Sequence, residues 1–389
     1  MLSLPNVRIN RKAADRVFSG HPWIFSSDVI DRGSALPGDA VRVIDPKGRT
    51  LGTGHYSSTS QIAVRLLSTH VETIDQEFVS KRIESAQQFR QRIVENSNAY
   101  RLVHGEADLL PGLIIDHYAG CLVIQLLDQG MDRISGAVTE ALNTICRPRG
   151  IVARNDVAVR GKENLPQETK ILSGSIPDRV SVQMNGLVMH ANLLTGQKTG
   201  VFLDQRENYI AARRYAHGRA LDCFTAAGGF ALHLASICES VEAVDSSAST
   251  LGDAEANVTA NALTNIALRK ADVLDYLPSL IAARRTFDIV VIDPPAFTKS
   301  RTALEGAVRG YKEINLRALK LLQRGGILVS CSCSHHMSEA RLLEVIASAA
   351  LDCGKQLRIL ERRTQSQDHP ILLTVPETHY LKCLIFEVM

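Results

Sequence analysis

The chain has 389 residues, 45% of them hydrophobic and 22% charged, with a net charge of +3, enough apolar material for two or three domains with real cores. No run approaches the ~20 apolar residues of a membrane helix, and the N-terminus, with Arg8, Arg11 and Lys12 among polar residues, lacks the apolar core of a signal peptide, so a cytosolic protein is expected. Eight cysteines without regular spacing exclude a disulfide framework and leave buried small hydrophobes or, rarely, reactive thiols.

Residues 1–70 hold nine Lys and Arg against five Asp, an excess of four that suits a polyanionic partner or a solvated face. Across 37–67, runs such as Ala40-Val41-Arg42-Val43-Ile44 and Ile62-Ala63-Val64-Arg65-Leu66 alternate with turns at Pro37-Gly38-Asp39 and Asp45-Pro46-Lys47-Gly48, the pattern of a small β-barrel. Trp23, the only tryptophan, and Phe25 are expected to fill its core. Ile74, Phe78, Ile83, Ala86, Phe89 and Ile93 recur at helical spacing and predict a connecting helix over 73–96. Residues 101–192 alternate strand-like runs with a helix near 132–145, a compact α+β unit, and Asn185-Gly186 is a hairpin signal. His104-Gly105-Glu106 and Asp116-His117 place acids beside imidazoles, where ordinary loop and strand-end polarity accounts for them.

After Arg219, strands at 220–224, 241–245, 266–271, 287–293 and 326–331 alternate with helices, the signature of a doubly wound parallel sheet. The first strand leads into 222–230, where Gly228 and Gly229 let the backbone pass close to a ligand at a helix start. The Gly-x-Gly-x-x-Gly of dinucleotide enzymes is absent, which favours a different adenosine cofactor. Asp245 ends the second strand, where an acid accepts hydrogen bonds from ribose hydroxyls, and Asp272 ends the third, placed to reach an adenine amino group. Each Asp alone could be a helix cap; with Asp222 and Asp293-Pro294-Pro295 they form the layout of S-adenosylmethionine-dependent methyltransferases.

The stretch 325–337 reads as a buried strand that ends in thiols, hydroxyls and imidazoles. Cys331 and Cys333 share one strand face, so periodicity does not choose between them; Cys333 lies later, at the strand end. A metal held by Cys331, Cys333, His335 and His336 is disfavoured, because adjacent donors cannot surround a tetrahedral ion, and no metal is expected.

The barrel, with Gly20-His21-Pro22-Trp23-Ile24-Phe25, resembles a PUA domain, and 195–337 resembles the PUA-containing large-subunit ribosomal RNA cytosine-5 methyltransferases. The resemblance lies in Gly196-Gln197-Lys198-Thr199-Gly200-Val201-Phe202-Leu203-Asp204-Gln205-Arg206, the 222–230 loop, Asp293-Pro294-Pro295-Ala296-Phe297, 309–315 and Ser332-Cys333-Ser334. It implies a PUA-like RNA-binding barrel at 1–72, a central α+β domain at 73–192 and a Rossmann-like domain at 193–389. Its partner would be large-subunit ribosomal RNA, with no membrane, and a homodimer is left open. It further implies Cys333 as nucleophile and Asp293 as the residue that anchors the cytosine. The cofactor, S-adenosylmethionine, would be held by Asp222, Phe224, Gly228, Gly229, Asp245, Asp272, Asp293 and Gln205. The RNA would meet Lys198, Phe202, Arg206, Pro294, Pro295 and Phe297. Ala226-Ala227 stand where an aromatic and a threonine are expected, and Ala296 where a lysine is common. His335 and His336 are more in keeping with solvent-facing loop residues than with a base. Exocyclic amine methylation and a non-catalytic assembly role are the competing readings.

Overall fold

A computed structural model describes residues 4–196, 199–297 and 304–389. They form two compact units, one of residues up to 182 with 191–200 and 367–378, the other of 183–190, 201–366 and 379–389.

The first unit begins with β1 (Asn6–Ile9), β2 (Trp23–Phe25), β3 (Val29–Asp31), β4 (Ala40–Ile44), β5 (Thr50–Tyr56) and β6 (Ile62–Ser68), in spatial order β2-β6-β5-β4-β1-β3. Helix α1 (Arg11–Phe18) is capped by Asn10, whose side chain accepts from the Ala13 amide. Val7, Ile9, Ile24, Val41, Val43 and Val64 fill the core. Trp23 and Phe25 do not. β2 is an edge strand whose single inward position is Ile24, so strand alternation turns its neighbours outward. Trp23 Nε1 donates to Glu106 at 2.8 Å, and the Arg16 guanidinium lies 4.8 Å over the Phe25 ring.

Helix α2 (Gln76–Ile93) buries Phe78, Val79, Ile83 and Ala86, as its spacing requires. It packs with a second sheet, ordered β11-β10-β9-β8-β7, built from β7 (Ala99–His104), β8 (Leu113–Tyr118), β9 (Cys121–Leu126), β10 (Gly150–Arg154) and β11 (Thr169–Gly174). Helices α3 (Gln129–Arg133), α4 (Ser135–Cys146) and α5 (Ala158–Lys162) complete it. The acid and imidazole pairs here are structural: fully buried Asp116 takes a two-pronged ion pair from Arg101 and a 2.6 Å hydrogen bond from Thr199. Asn185 and Gly186, both at positive φ, turn β12 (Val180–Met184) into β13 (Leu187–Ala191).

The second unit holds α6 (Arg206–Tyr215), β14 (Arg219–Cys223), α7 (Gly229–Ala235), β15 (Ser240–Asp245), α8 (Ala248–Ala260), β16 (Ile266–Lys270), α9 (Val273–Ala282), β17 (Phe287–Ile292), α10 (Leu304–Leu321), β18 (Leu322–Ser332), α11 (Glu339–Asp352), β19 (Leu357–Arg363) and β20 (Lys382–Val388). The sheet runs β16-β15-β14-β17-β18-β20-β19, with only β20 antiparallel to its neighbours. The chain leaves β14 in one direction and returns at β17 on the other side, so the switch point lies between them, where open α/β sheets bind ligands. Among the described residues no helix is long and apolar enough to cross a membrane.

Arg90 of α2 is 1% exposed and gives its guanidinium to the Asp108 carboxylate and to the carbonyls of Arg101 and Asp368. Arg90→Met strands the Asp108 charge and two carbonyls, so urea unfolding should show a loss of about 3–5 kcal/mol; an unchanged midpoint would show the pair to be dispensable.

Candidate active site

The loop from β14 into α7 is bent by three residues in the left-handed region: Phe224 (φ 64), Ala226 (φ 48) and Gly228 (φ 88). Two of them carry a Cβ, a cost loops bear chiefly where function fixes their shape. Gly229 is required for another reason, since a Cβ there would stand 2.4 Å from the Tyr209 ring. Asn257 of α8 donates to the Ala227 carbonyl at 2.9 Å and braces the loop from behind.

Asp222 is buried on β14, its Oδ2 accepting from the Thr225 hydroxyl at 2.6 Å and the Ala231 amide at 3.0 Å. Its Oδ1 is equally buried and has no hydrogen-bond partner. Burial pushes this carboxyl up to about 7, with Asp293 and Asp245 adding to the rise. Asp245, the last residue of β15, accepts from the amides of Ala226 and Ser247, each at 2.9 Å. Asp272 sits differently from the expectation. β16 stops at Lys270, and Asp272 is an exposed N-cap of α9 whose Oδ1 accepts from the Leu274 amide at 2.8 Å.

At the end of β17, Asp293 Oδ2 accepts from Gln205 Nε2 at 3.0 Å, and the Gln205 carbonyl accepts from Asn208 at 2.6 Å. Gln205 is 2% exposed, so this relay fixes the Asp293 carboxylate from the interior. Pro294 is buried and Pro295 exposed; the Phe297 ring packs 4.8 Å from Tyr311 of α10.

β18 carries the two thiols into different surroundings. Cys331 is fully buried between β17 and β20, directly opposite Cys383. Burial pushes its thiol well up, which makes it an inert core residue. Cys333 follows the strand end, is partly exposed, and lies between Ser332 and Ser334, whose hydroxyls both meet the Tyr311 hydroxyl, at 2.8 and 3.3 Å. Ser338 caps α11 just beyond it. His335 and His336 are exposed, with the His335 ring 5.8 Å from that of Tyr380.

Residues 7–69 match the PUA-like domain family, and residues 100–387 match the S-adenosylmethionine-dependent methyltransferases. The chain belongs to this methyltransferase family. Ribosomal RNA large subunit methyltransferase I of Pseudoalteromonas atlantica is 40% identical over 377 residues, 95% of each chain. Its namesake in Photobacterium profundum is 40% identical over 373 residues, 93% of this chain and 94% of its own. Among solved structures, a candidate methyltransferase complexed with SAH shares the fold at TM-score 0.86 and 20% identity, covering 99% of this chain and 100% of its own.

The methyltransferase thus uses S-adenosylmethionine, and its sheet brings Asp222, Asp293 and Cys333 to three successive strand ends. Lys198 lies outside the described residues. Phe202 is half-buried, and Arg206 is 2% exposed and paired with Glu207 at 3.4 Å, so its guanidinium faces the interior. Tyr311 lies in the 309–315 segment that carries the resemblance, where no role attaches to it, and Lys382, far downstream on β20, carries no signal of its own in the sequence.

Asp222 gives the methyltransferase a pH-dependent stability. The folded state keeps a proton on this carboxyl up to about 7, the unfolded chain only to 3.8, so stability falls as pH rises through that window and stays lower above it. Asp222→Asn should abolish this contribution, on the order of 4 kcal/mol between pH 4 and 7.5; parallel wild-type and variant curves in urea unfolding would contradict it.

Proposed function

We propose that this methyltransferase moves the methyl group of S-adenosylmethionine to carbon 5 of a cytosine in large-subunit ribosomal RNA, with Cys333 as nucleophile. The observation that carries the reading is a partly exposed thiol just past β18, beside the β17 end that bears Asp293 and Pro294. The two relatives named as large-subunit ribosomal RNA methyltransferases support the substrate class. A ribosomal substrate puts the protein in the cytoplasm, and the PUA-like barrel is the natural RNA-holding module.

The cofactor supplies a methyl group on a sulfonium, which carbon 5 of an unactivated pyrimidine is too weak a nucleophile to accept. The Cys333 thiolate adds to carbon 6, and the electron pair of the 5,6 double bond becomes available at carbon 5, which forms the new bond to the methyl group. A base then removes the carbon-5 proton, the double bond re-forms and the thiolate leaves. Asp293, held by Gln205, accepts a hydrogen bond from the cytosine amino group and, when it carries a proton, donates one to the ring nitrogen while charge builds on the base.

The first strand end fits the cofactor. The buried, unpartnered Asp222 Oδ1 calls for a hydrogen-bond partner, and the Phe224–Gly229 backbone is already bent to admit a ligand at the start of α7. Asp245 is assigned to the ribose and Asp272, through the oxygen not used as a cap, to the adenine. Gln205 acts through Asp293. On the RNA side, Phe202, Pro294, Pro295 and Phe297 are assigned to the base and its neighbours, with Lys198 on the backbone, while Arg206 braces its own segment from within. Methylation of an exocyclic amine leaves Cys333 without a task.

RNA with 5-fluorocytosine at the target cannot lose a proton from carbon 5 and should stay covalently bound. Cys333→Ala should abolish that adduct on a denaturing gel and Cys331→Ala keep it; an adduct that survives loss of Cys333 refutes the nucleophile. In calorimetric titration with S-adenosylmethionine, Asp245→Ala should weaken binding at least about tenfold, or about 1.4 kcal/mol, and unaltered affinity would remove Asp245 from the cofactor site.

A further inference from the structure

Lys382 is a buried charged residue at the carboxyl edge of the sheet. It opens β20, stands opposite Ser332 of β18 in the strand register, and is 3% exposed. Its ammonium donates to the carbonyl oxygens of Ser334, at 2.7 Å, and of Tyr380, at 2.8 Å. Ser334 directly follows Cys333, so a buried cation is fixed one residue from the thiol. Two neutral carbonyls take two of its three hydrogens and none of its charge, and a buried charge without a counter-ion is costly.

The surroundings offer few anions. Glu339, at the start of α11, is already engaged by Arg362 of β19. Tyr311 of α10 is held up by burial and stays neutral. Asp293 belongs to the Gln205 relay, and His335, beside Tyr380, can only add positive charge. What remains is Cys333. Burial brings Lys382 down to about 8, and the thiol is the group that acts most strongly in the opposite direction. The influence is mutual by linkage: an anionic sulfur that favours the ammonium is itself favoured by it.

Resting on the reading of Cys333 as the attacking group, we infer that Lys382 is a positioning residue, the buried counter-ion that keeps Cys333 as its thiolate and holds the turn that presents it. The thiol proton goes to solvent, and below about pH 8 the lysine keeps its charge. When the sulfur adds to carbon 6 its negative charge passes to the ring, and when the adduct collapses the charge returns to a sulfur beside a waiting cation.

The test is the pH dependence of Cys333 alkylation by iodoacetamide, followed by mass spectrometry of the Cys333 peptide in the full-length protein. In Lys382→Met the midpoint should rise by about one unit, so that alkylation at pH 7 falls about tenfold and the deficit closes above pH 9. Lys382→Arg, which keeps the charge, should lie closer to wild type. Lys382→Gln, which keeps a donor to the carbonyls without the charge, serves if the methionine variant does not fold, and should behave as the methionine variant does. A neutral variant with native melting and an unmoved midpoint, or one slowed equally at every pH, overturns the inference. Failure of the nucleophile reading looks different: Cys333→Ala would still form the 5-fluorocytosine adduct, whatever the alkylation profile.

Discussion

A strand buried on both faces and along both edges can carry reactive groups only at its ends, and this constraint organises the second unit. β18 is paired on one side to β17 and on the other to β20, and from Ile327 to Ser332 every side chain is buried. A thiol inside that span, Cys331, is locked into an apolar setting. Two residues later the partners end, and Cys333 emerges with water on one side and protein dipoles on the other. The difference between an inert and an available cysteine here is where the ladder stops, not the residue type.

The same constraint forces the neighbouring strands to place their polar residues at their own ends. β14, β17 and β18 are parallel neighbours, and the register steps outward along them: Asp222 stands opposite Val291 of β17, Asp293 follows Ile292, which stands opposite Ser330, and Cys333 lies beyond the end of β18. Each is then tuned by what lies behind it. Asp222 is desolvated and half-satisfied, Asp293 is oriented by a buried glutamine, and Cys333 is flanked by hydroxyls bound to Tyr311. The supporting groups come from the turn before α6, from α10 and from β20, elements far apart in sequence.

That separation explains what could be read in the sequence and what could not. Strand-helix alternation, the paired glycines at Gly228 and Gly229, and the acids at strand ends are local patterns, and the doubly wound sheet follows from them. The bulk of Trp23 points to the core, but alternation overrides it: on an edge strand with one inward position, a large ring next to Ile24 faces out. At Asp272 a strand end and a helix cap fall two residues apart, so the sequence allows both, and the fold uses the cap. Lys382 had no local signature at all. A lone lysine opening an apolar strand, Lys382-Cys383-Leu384-Ile385-Phe386, reads as a solvent-facing terminus until antiparallel pairing brings it against β18.

The charges at this edge fall into two groups that are kept apart. Asp245 and Asp293, with an Asp222 that keeps its proton up to about 7, stand at the β14, β15 and β17 ends, while Lys382 stands on the β18 and β20 side; under the proposed function the first setting suits a sulfonium and the second a thiolate. Had lysine and carboxylates been interleaved, each would have neutralised the other, and neither the electrophile nor the nucleophile would have met a field of the sign it needs.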